Sequence, residues 1–322
     1  VEKNKGYTVL FLSANIRALQ TKMIGTQALQ KMISAASPEE AYKTVNDAGI
    51  GADIDYKDFE SALTQELAST YERLEKASDD PEMFKIFRYK YDGHNLKTLI
   101  KAHVSHSDAE PLLSPLHSGL QELRNGLRDG DLATEPQLAL AAVQARDSLA
   151  KANDPQMVDV IIDRAVLQCM SELAKQYKSR FLNQLVEHID IANIRCFVRI
   201  KRIGQELNFL KEVLAQGGSI PVDRYFELYL KNFDDFFEML DSTVYGPAFP
   251  ARMTLKNKGS LSGFEKLCDN FMVGVLKQSR FVPFGIEPVL SYLVAKENEA
   301  QAIRIVMLLK SPVSRRKKSR KG

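Results

Sequence analysis

The sequence predicts an all-α protein made of three related helical segments. Apolar residues recur at steps of three and four along most of the chain, which places them on one face of a helix. No segment shows a convincing alternation with a period of two, the pattern of a half-buried strand. A short motif occurs three times at roughly 100-residue spacing, and such spacing is typical of an internally repeated fold.

Five apolar stripes carry the helical prediction. They are Leu12–Met23, Phe59–Leu74, Val158–Tyr177, Phe226–Leu240 and Phe264–Val275. Because the spacing is helical, the aromatic residues between Tyr225 and Phe249 are predicted to be core or interface and not a cofactor pocket.

The capping and turn residues between the stripes also indicate helices. Ser37-Pro38-Glu39-Glu40 predicts a capped helix start with proline at the first helical position. Gly217-Gly218-Ser219-Ile220-Pro221 predicts the end of one helix and the start of the next, and Asn257–Gly263 predicts a polar loop.

The repeated motif is an acid, two variable positions, Asn, an aliphatic residue, Lys or Arg, one variable position and two apolar residues. Its copies begin at Asp92, Asp190 and Glu299, and the third is degraded, with Ala302 in place of Asn. A helix with an apolar–acid pair near its start precedes each copy: Phe59-Glu60, Ile162-Asp163 and Phe264-Glu265. We interpret the pattern as a triplication with lobes 1–106, 107–206 and 207–310. The alternative is that helix starts simply look alike.

We predict a structural role for the motif residues: Asp92, Asn95, Lys97, Asp190, Asn193, Arg195, Asn298, Gln301 and Arg304. In this hypothesis Asp92 and Asp190 are helix N-caps, and the asparagines that follow reach back to the cap. In the third copy Asn298 with Gln301 fits a cap better than Glu299 does. The alternative is that these acids bind basic groups of a partner.

Composition restricts the class of protein. The chain has 322 residues, 44% of them hydrophobic, and a net charge of +3. Its uncharged stretches are shorter than the roughly 18–20 residues that cross a bilayer, so we expect no membrane span. Three widely spaced cysteines (Cys169, Cys196 and Cys268) indicate buried thiols rather than a disulfide framework.

No motif nominates a catalytic, cofactor-binding or metal site. The phosphate-binding loop is missing, because Lys258-Gly259-Ser260 has the wrong order, and Gly49-Ile50-Gly51 lacks the third glycine of a dinucleotide fingerprint. His103 and His106, with Asp108 nearby, could form a metal site, although histidines at a helix end are the commoner arrangement. We therefore expect no cofactor, no metal, no small-molecule substrate and no enzyme activity.

The last twelve residues form a basic tail, 311–322. Its six cations are Arg315, Arg316, Lys317, Lys318, Arg320 and Lys321, and the rest of the chain is slightly acidic. A nucleic-acid-binding fold would spread its cations over one face, so we expect no nucleic acid as a partner. The tail is predicted to be a disordered end; attachment to anionic lipid or a partner, and a nucleic-acid or nuclear-address role, are the alternatives.

Four segments, taken in order, carry a resemblance to a known family. They are Tyr7 with Ala14–Ala18, Phe84–Lys101, Gly217–Pro221 and Ile286–Arg304. Together they resemble the C subunits of bacterial and archaeal V-type (A-type) ATPases, whose eukaryotic relative is the d subunit. The sequence departs from the family after Lys310, where Ser311-Pro312 breaks the last helix.

The resemblance implies a three-lobed, pseudo-threefold helical funnel in the central stalk. It implies a non-catalytic rotor subunit on the cytoplasmic side, which couples the shaft of the ATP-hydrolysing head to the membrane rotor ring. The implied partners are the ring and the shaft subunits. A helical adaptor that binds another protein or nucleic acid through the basic tail is the alternative, and an unrecognised helical enzyme is a third possibility.

Overall fold

The computed structural model describes residues 15–117, 119–129, 136–177, 180–249, 261–278 and 287–311. All regular structure in these residues is helical, which confirms the predicted all-α class. The α-helices are α1 (Thr26–Ser34), α2 (Pro38–Asp47), α3 (Phe59–Ala77), α4 (Lys85–Ser105), α5 (Leu120–Asp129), α6 (Pro136–Ala152), α7 (Pro155–Gln176), α8 (Arg180–Ile203), α9 (Leu207–Val213), α10 (Val222–Tyr229), α11 (Phe233–Asp241), α12 (Leu261–Gln278) and α13 (Glu287–Lys310). Residues 15–20 are also helical.

Side-chain caps fix several helix starts. The Ser37 hydroxyl accepts a hydrogen bond from the Glu40 amide at 3.1 Å, and proline occupies the first helical position of α2, as predicted. The Glu40 carboxylate in turn accepts a hydrogen bond from the amide of Ala36 at 2.7 Å. At α7 the Asp154 carboxylate accepts from the Gln156 amide at 2.9 Å. These bonds satisfy amides that the first helical turn leaves without partners.

The chain divides into two compact units, and one of them is formed by the first and the last parts of the sequence. It contains the residues up to Phe84 and those after Gln278, so α13 packs with α1, α2 and α3. The buried side chains on α13 are predominantly apolar, including Leu290, Leu293 and Ile303. Burial of this apolar face contributes to the hydrophobic stabilisation of the unit.

The second unit is Lys85–Gln278 and has two cores. The first core lies among α4, α5, α6 and α7, and is mostly aliphatic. The second lies among α8 to α12 and is strongly aromatic, with Phe197 stacked on Phe236 at 4.2 Å between ring centroids. Tyr225, Tyr245 and Phe249 are buried there, which confirms the prediction that this aromatic run is core.

The motif does not start helices, so the prediction of N-caps is wrong. Asp92 lies inside α4, Asp190 inside α8, and both Asn298 and Gln301 inside α13. The helices begin earlier because apolar residues with helical spacing, such as Ile86 and Tyr89 in α4, continue ahead of the motif and are buried.

Some predictions concern residues outside the described ranges. They include the opening segment Tyr7–Ala14, most of the Asn257–Gly263 loop and the basic tail beyond Ser311. The lobe boundaries at residues 106 and 206 stay a prediction.

Candidate functional site

A buried, extensively hydrogen-bonded polar site lies around Asp190, in the middle of α8. Its carboxylate is fully buried and accepts four hydrogen bonds. The Ser219 amide donates at 2.8 Å and the Ser219 hydroxyl at 2.5 Å, while the Ile220 amide donates at 3.1 Å. The Tyr245 hydroxyl donates at 2.6 Å. A buried charge is tolerated when its oxygens are satisfied in this way, so Asp190 holds the loop before α10 firmly against α8.

Two glycines let this loop approach the carboxylate. A Cβ atom on Gly218 would lie 2.2 Å from Oδ1 of Asp190, so a larger residue there would require the carboxylate or the loop to shift. Gly217 has a φ of +101°, and a Cβ there would lie 2.5 Å from the Ser171 hydroxyl oxygen. The Gly217–Pro221 turn therefore does more than separate two helices, because its Ser219 and Ile220 donate hydrogen bonds to the Asp190 carboxylate.

Tyr245 remains a hydrogen-bond donor at ordinary pH. Burial, together with the bond to Asp190, raises the pKa of its phenol well above the usual value. Tyr225, also fully buried in this core, has a phenol pKa raised chiefly by burial. Within the part of the chain that the structure describes, the Tyr225 hydroxyl has no hydrogen-bond partner. Sequence reasoning did not single out either tyrosine for a polar role.

The motif asparagines each form a reciprocal pair of hydrogen bonds with a loop residue. The amide group of Asn193 donates to the carbonyl of Ala215 at 2.8 Å and accepts from its N–H at 2.9 Å. Asn95 does the same with Ser114, at 2.9 and 2.8 Å. Both asparagines are buried, so their side chains supply the hydrogen-bond partners that the loop N–H and C=O groups would otherwise find in water.

The first copy packs closely against a neighbouring helix. Asp92 is buried, and a Cβ on Gly93 would lie 2.5 Å from a Val166 methyl group on α7. Gly93 thus permits close contact between α4 and α7 in the middle of α4. Arg88, one helical turn earlier, donates to the carbonyl of Leu116 at 3.0 Å.

The third copy holds its loop through an ion cluster. Glu299 is buried and accepts a hydrogen bond from the amide of Ile24, just before α1. Lys296 pairs with Glu299 at 2.7 Å and with Glu66 at 3.1 Å. Burial lowers the pKa of Lys296, but its bonds to these two carboxylates outweigh that effect and the net shift is upward. Asn298, the predicted cap of this copy, is exposed.

The basic positions of the three copies all face an acid on a long helix. Lys97 pairs with Asp163 at 2.6 Å, Arg195 with Asp269 at 2.7 Å, and Arg304 with Glu60 at 2.8 Å. Gln301 accepts a further bond from Arg304 at 2.8 Å. These pairs are partly exposed, so each contributes at most about 1 kcal/mol to stability.

Other predicted candidates are not brought together. In the described ranges no three His, Cys, Asp or Glu side chains lie close enough to hold a metal ion. His103 lines a cavity of about 500 Å³ with Arg124, Arg146 and Leu127, whereas His106 sits just beyond the end of α4 with a φ of 52°. Cys169 and Cys268 are buried thiols and Cys196 is a half-buried thiol.

Chemically, the arrangement fastens loops to helices. The groups that contact the Asp190 and Glu299 carboxylates are backbone amides, hydroxyls and a lysine, and these bonds compensate for the burial of the two charges. Among the helices that the structure describes, none combines the length and the apolarity that a membrane crossing requires.

Comparison with known proteins identifies the family. Residues 12–312 match the ATP synthase (C/AC39) subunit family. The C subunit of the V-type sodium ATPase of Enterococcus hirae is 25% identical, over 92% of this chain and 92% of its own length. The C subunit of the A-type ATP synthase of Haloferax volcanii is 26% identical, over 92% of this chain and 91% of its own. Because the family match spans nearly the whole described fold, the chain belongs to the C subunits of V/A-type ATPases, the ATP synthase (C/AC39) subunit family.

Proposed function

We propose that this chain is a non-catalytic coupling subunit in the central stalk of a V/A-type ATPase. In this role it links the rotating shaft of the catalytic head to the membrane rotor ring, on the cytoplasmic side of the membrane. The observation that carries the proposal is the family match over residues 12–312, with relatives that are the C subunits of a sodium ATPase and of ATP synthases.

The buried polar bonds suit a part that transmits torque. Such a part must deform little, and loops are the softest elements of a helical protein. Here the loops before α1 and α10 are held by buried carboxylates, and those at Ser114 and Ala215 by buried asparagines. A loop fixed by buried hydrogen bonds cannot shift without exposing unsatisfied amides, so the connections are stiffened along with the helices.

The same bonds support a threefold repeat. In each copy the acid is buried in the middle of a long helix and the basic residue reaches an acid on another long helix: α4 with α7, α8 with α12, and α13 with α3. The third pairing joins the last helix of the chain to the first of the long ones. We retain three lobes and the pseudo-threefold funnel as the proposed arrangement.

Affinity purification from native membranes tests the coupling role. The full chain, tagged at its N-terminus, should recover the rotor ring and the shaft subunits from a mild detergent extract, identified by mass spectrometry. A matched chain carrying Asp190→Ala, which we expect to loosen the α10 loop, should recover less of either. Recovery of neither by a wild-type chain whose helical circular dichroism is intact would contradict the coupling role.

Calorimetry tests the non-catalytic part of the proposal. The isolated chain should bind no ATP at concentrations up to about 100 μM, a limit equivalent to roughly −5.5 kcal/mol. Tighter binding would show a nucleotide site that the proposal does not contain.

A further inference from the structure

Lys201, in the last turn of α8, bonds to the C-terminal end of α10. Its ammonium donates to the carbonyl of Leu228 at 3.4 Å, to that of Tyr229, and to that of Lys231 at 2.6 Å. Carbonyls at the end of a helix lack partners within that helix and carry the negative end of its dipole, so they attract a cation. The centroids of three aromatic rings lie between 5.1 and 5.8 Å from the ammonium, those of Phe197, Tyr229 and Phe233. Cation–π attraction therefore adds to the hydrogen bonds that hold Lys201 in place.

Lys310, the last residue of α13, bonds to the end of α1 in the same way. Its ammonium donates to the carbonyl of Ile33 at 2.9 Å and to that of Ala35 at 2.6 Å. Ile33 lies in the last turn of α1, and Ala35 directly follows that helix. The two long helices α8 and α13 thus each carry, in the last turn, a lysine that binds the end of a short helix of the same unit.

The two lysines stand in the same register. Each follows the motif acid of its own helix by eleven residues. The groups that they contact have the same spacing, since the Lys231 carbonyl lies eleven residues after the Ile220 amide and the Ala35 carbonyl eleven residues after the Ile24 amide. Because the acid and the lysine bond to matching points, each short helix runs in the same direction as its long helix. The equal register indicates a further position of the repeat, beyond the motif itself.

The charges match the polarity of the short helices. The motif acid bonds to an amide just before the first turn, where the helix dipole is positive, and the lysine bonds to carbonyls at the negative end. Eleven helical residues rise about 16 Å, so the two contacts lie at opposite ends of the short helix. Each short helix is therefore attached to its long helix over its whole length.

The lysine contact also reaches the start of the next helix. The N-cap residue of α11, Asn232, directly follows Lys231, and its amide donates to the Asp235 side chain at 3.0 Å. In the other unit the amide of Ala36, which donates to the Glu40 carboxylate, directly follows Ala35. Each lysine thus binds the last residue before a capped helix start, and so contacts three successive elements through one ammonium.

The first copy of the motif has no lysine at this position. His103 stands eleven residues after Asp92 and lines the cavity beside α5. The Leu127 carbonyl, in the last turn of α5, accepts a hydrogen bond from Arg146 of α6 at 2.9 Å. The cation at the end of α5 therefore comes from the helix that follows it and not from the long helix that carries the motif.

We propose that Lys201 and Lys310 make each long helix, the short helix after its motif loop and the start of the next helix move as one rigid body. We call the contact of either lysine with residues 228–231 or 33–35 the lysine junction. Opening a junction breaks charge-assisted bonds at several carbonyls together, so it opens less readily than a connection held by neutral bonds. In the first copy Arg146 joins α5 to α6 in the same manner. The junctions lie within the chain itself, so they exist whether or not the chain has the coupling role.

Hydrogen exchange of the isolated full chain, read segment by segment, tests the proposal. Lys201→Met keeps an unbranched side chain but removes the ammonium. Exchange in residues 228–235 should accelerate by about tenfold or more, because bonds to a charged donor are lost there while the rest of the core is unchanged. Lys310→Met should have the same effect on residues 33–40 and none on residues 228–235. Lys201→Arg keeps a cation with several N–H donors, so it should exchange almost like wild type.

Matched variants isolate the junction from the loss of a charge. Lys175→Met and Lys43→Met make the same change at an exposed lysine of each unit and should leave both segments like wild type. In the first copy Arg146→Met should accelerate exchange at the end of α5, whereas His103→Ala should not. Circular dichroism checks that each variant is folded, and Lys310→Met carries the same test in the other unit if Lys201→Met does not fold.

Three outcomes would overturn the proposal. The first is wild-type exchange in residues 228–235 of a folded Lys201→Met chain. The second is acceleration spread evenly over the whole chain, which would make the lysine a contributor to general stability only. The third is an equal effect of Lys201→Arg and Lys201→Met, which would show that the cation is not what holds the carbonyls. Because exchange is measured without ring or shaft, failure here leaves the coupling role standing, and the reverse also holds.

Discussion

Replacement of Asp190 tests whether the motif acid fastens a loop or caps a helix. Asp190→Ala removes the acceptor of two amides, those of Ser219 and Ile220, whose N–H groups cannot turn elsewhere. The hydroxyls of Ser219 and Tyr245 can rotate and are left out of the estimate. An unsatisfied buried donor costs about 1–3 kcal/mol, so two of them destabilise the fold by about 2–6 kcal/mol.

The companion substitutions give graded expectations. Asp190→Asn keeps one acceptor oxygen and should cost about 1–3 kcal/mol, because one amide is left without a partner. Asp190→Ser should cost as much as alanine, since the shorter side chain does not reach the loop. A helix cap behaves differently: serine replaces aspartate there at almost no cost, and alanine costs about 0.5–2 kcal/mol.

Two buried tyrosines provide a matched control. Tyr245→Phe removes a donor to Asp190 and should cost about 1–2 kcal/mol. Tyr225→Phe removes a hydroxyl that has no partner among the described residues, so it should be neutral or stabilising. Both substitutions leave the same aromatic core, so only the hydrogen bond differs.

Urea unfolding followed by circular dichroism measures these costs, provided the slope stays unchanged between variants. Hydrogen exchange of residues 215–220 adds a local reading, because exchange there should accelerate in Asp190→Ala before the rest of the fold is affected. If Asp190→Ser is as stable as wild type, the loop-fastening account is refuted.

Four further predictions concern this loop and other parts of the chain. Gly218→Ala should destabilise unit Lys85–Gln278 as severely as Asp190→Ala, measured by urea unfolding, because its Cβ would lie 2.2 Å from the carboxylate; a neutral result would show that the loop can shift. Lys296→Met should cost about 3 kcal/mol, since Glu299 would remain buried without its cation. Because the pKa of Lys296 is raised, its contribution should be full below the ordinary lysine pKa of about 10.4 and disappear at higher pH; unfolding of both chains across that range checks this. Cys268, whose pKa burial raises to about 11, should react with maleimide at pH 8 far more slowly in the folded chain than in urea, and equal rates would contradict its burial. Deletion of residues 314–322 should leave recovery of ring and shaft intact at physiological salt, where electrostatic attraction between exposed charges is screened over about 8 Å; loss of recovery would make the tail an assembly contact.

The sequence was sufficient to predict the helical class because the signals of helix formation and burial lie in the same stretch of sequence as the helix. Apolar spacing, the Ser37 cap and the proline that follows it all lie within a few residues of the structure they predict. The family resemblance was also visible, since order and spacing of short segments survive at about 25% identity.

The motif residues were recognisable, but their role was not. Asp92 and Asp190 have the residue type of an N-cap, and the acid–x–x–Asn spacing suits one. What decides between a cap and a buried tether is whether the helix continues ahead of the acid. Ile86 in α4 is buried and extends the apolar pattern in that direction, a signal that could have corrected the prediction.

The partners of the motif could be decided only by the tertiary structure. Asp190 bonds to Ser219, 29 residues away, Arg304 to Glu60, 244 residues away, and Glu299 to Ile24, 275 residues away. Periodicity tells which face of a helix is buried, but not which other helix or loop covers it. Which helices and loops pair depends on the tertiary fold of the whole chain. Many weak contacts determine that fold together, so no single sequence motif predicts the pairing.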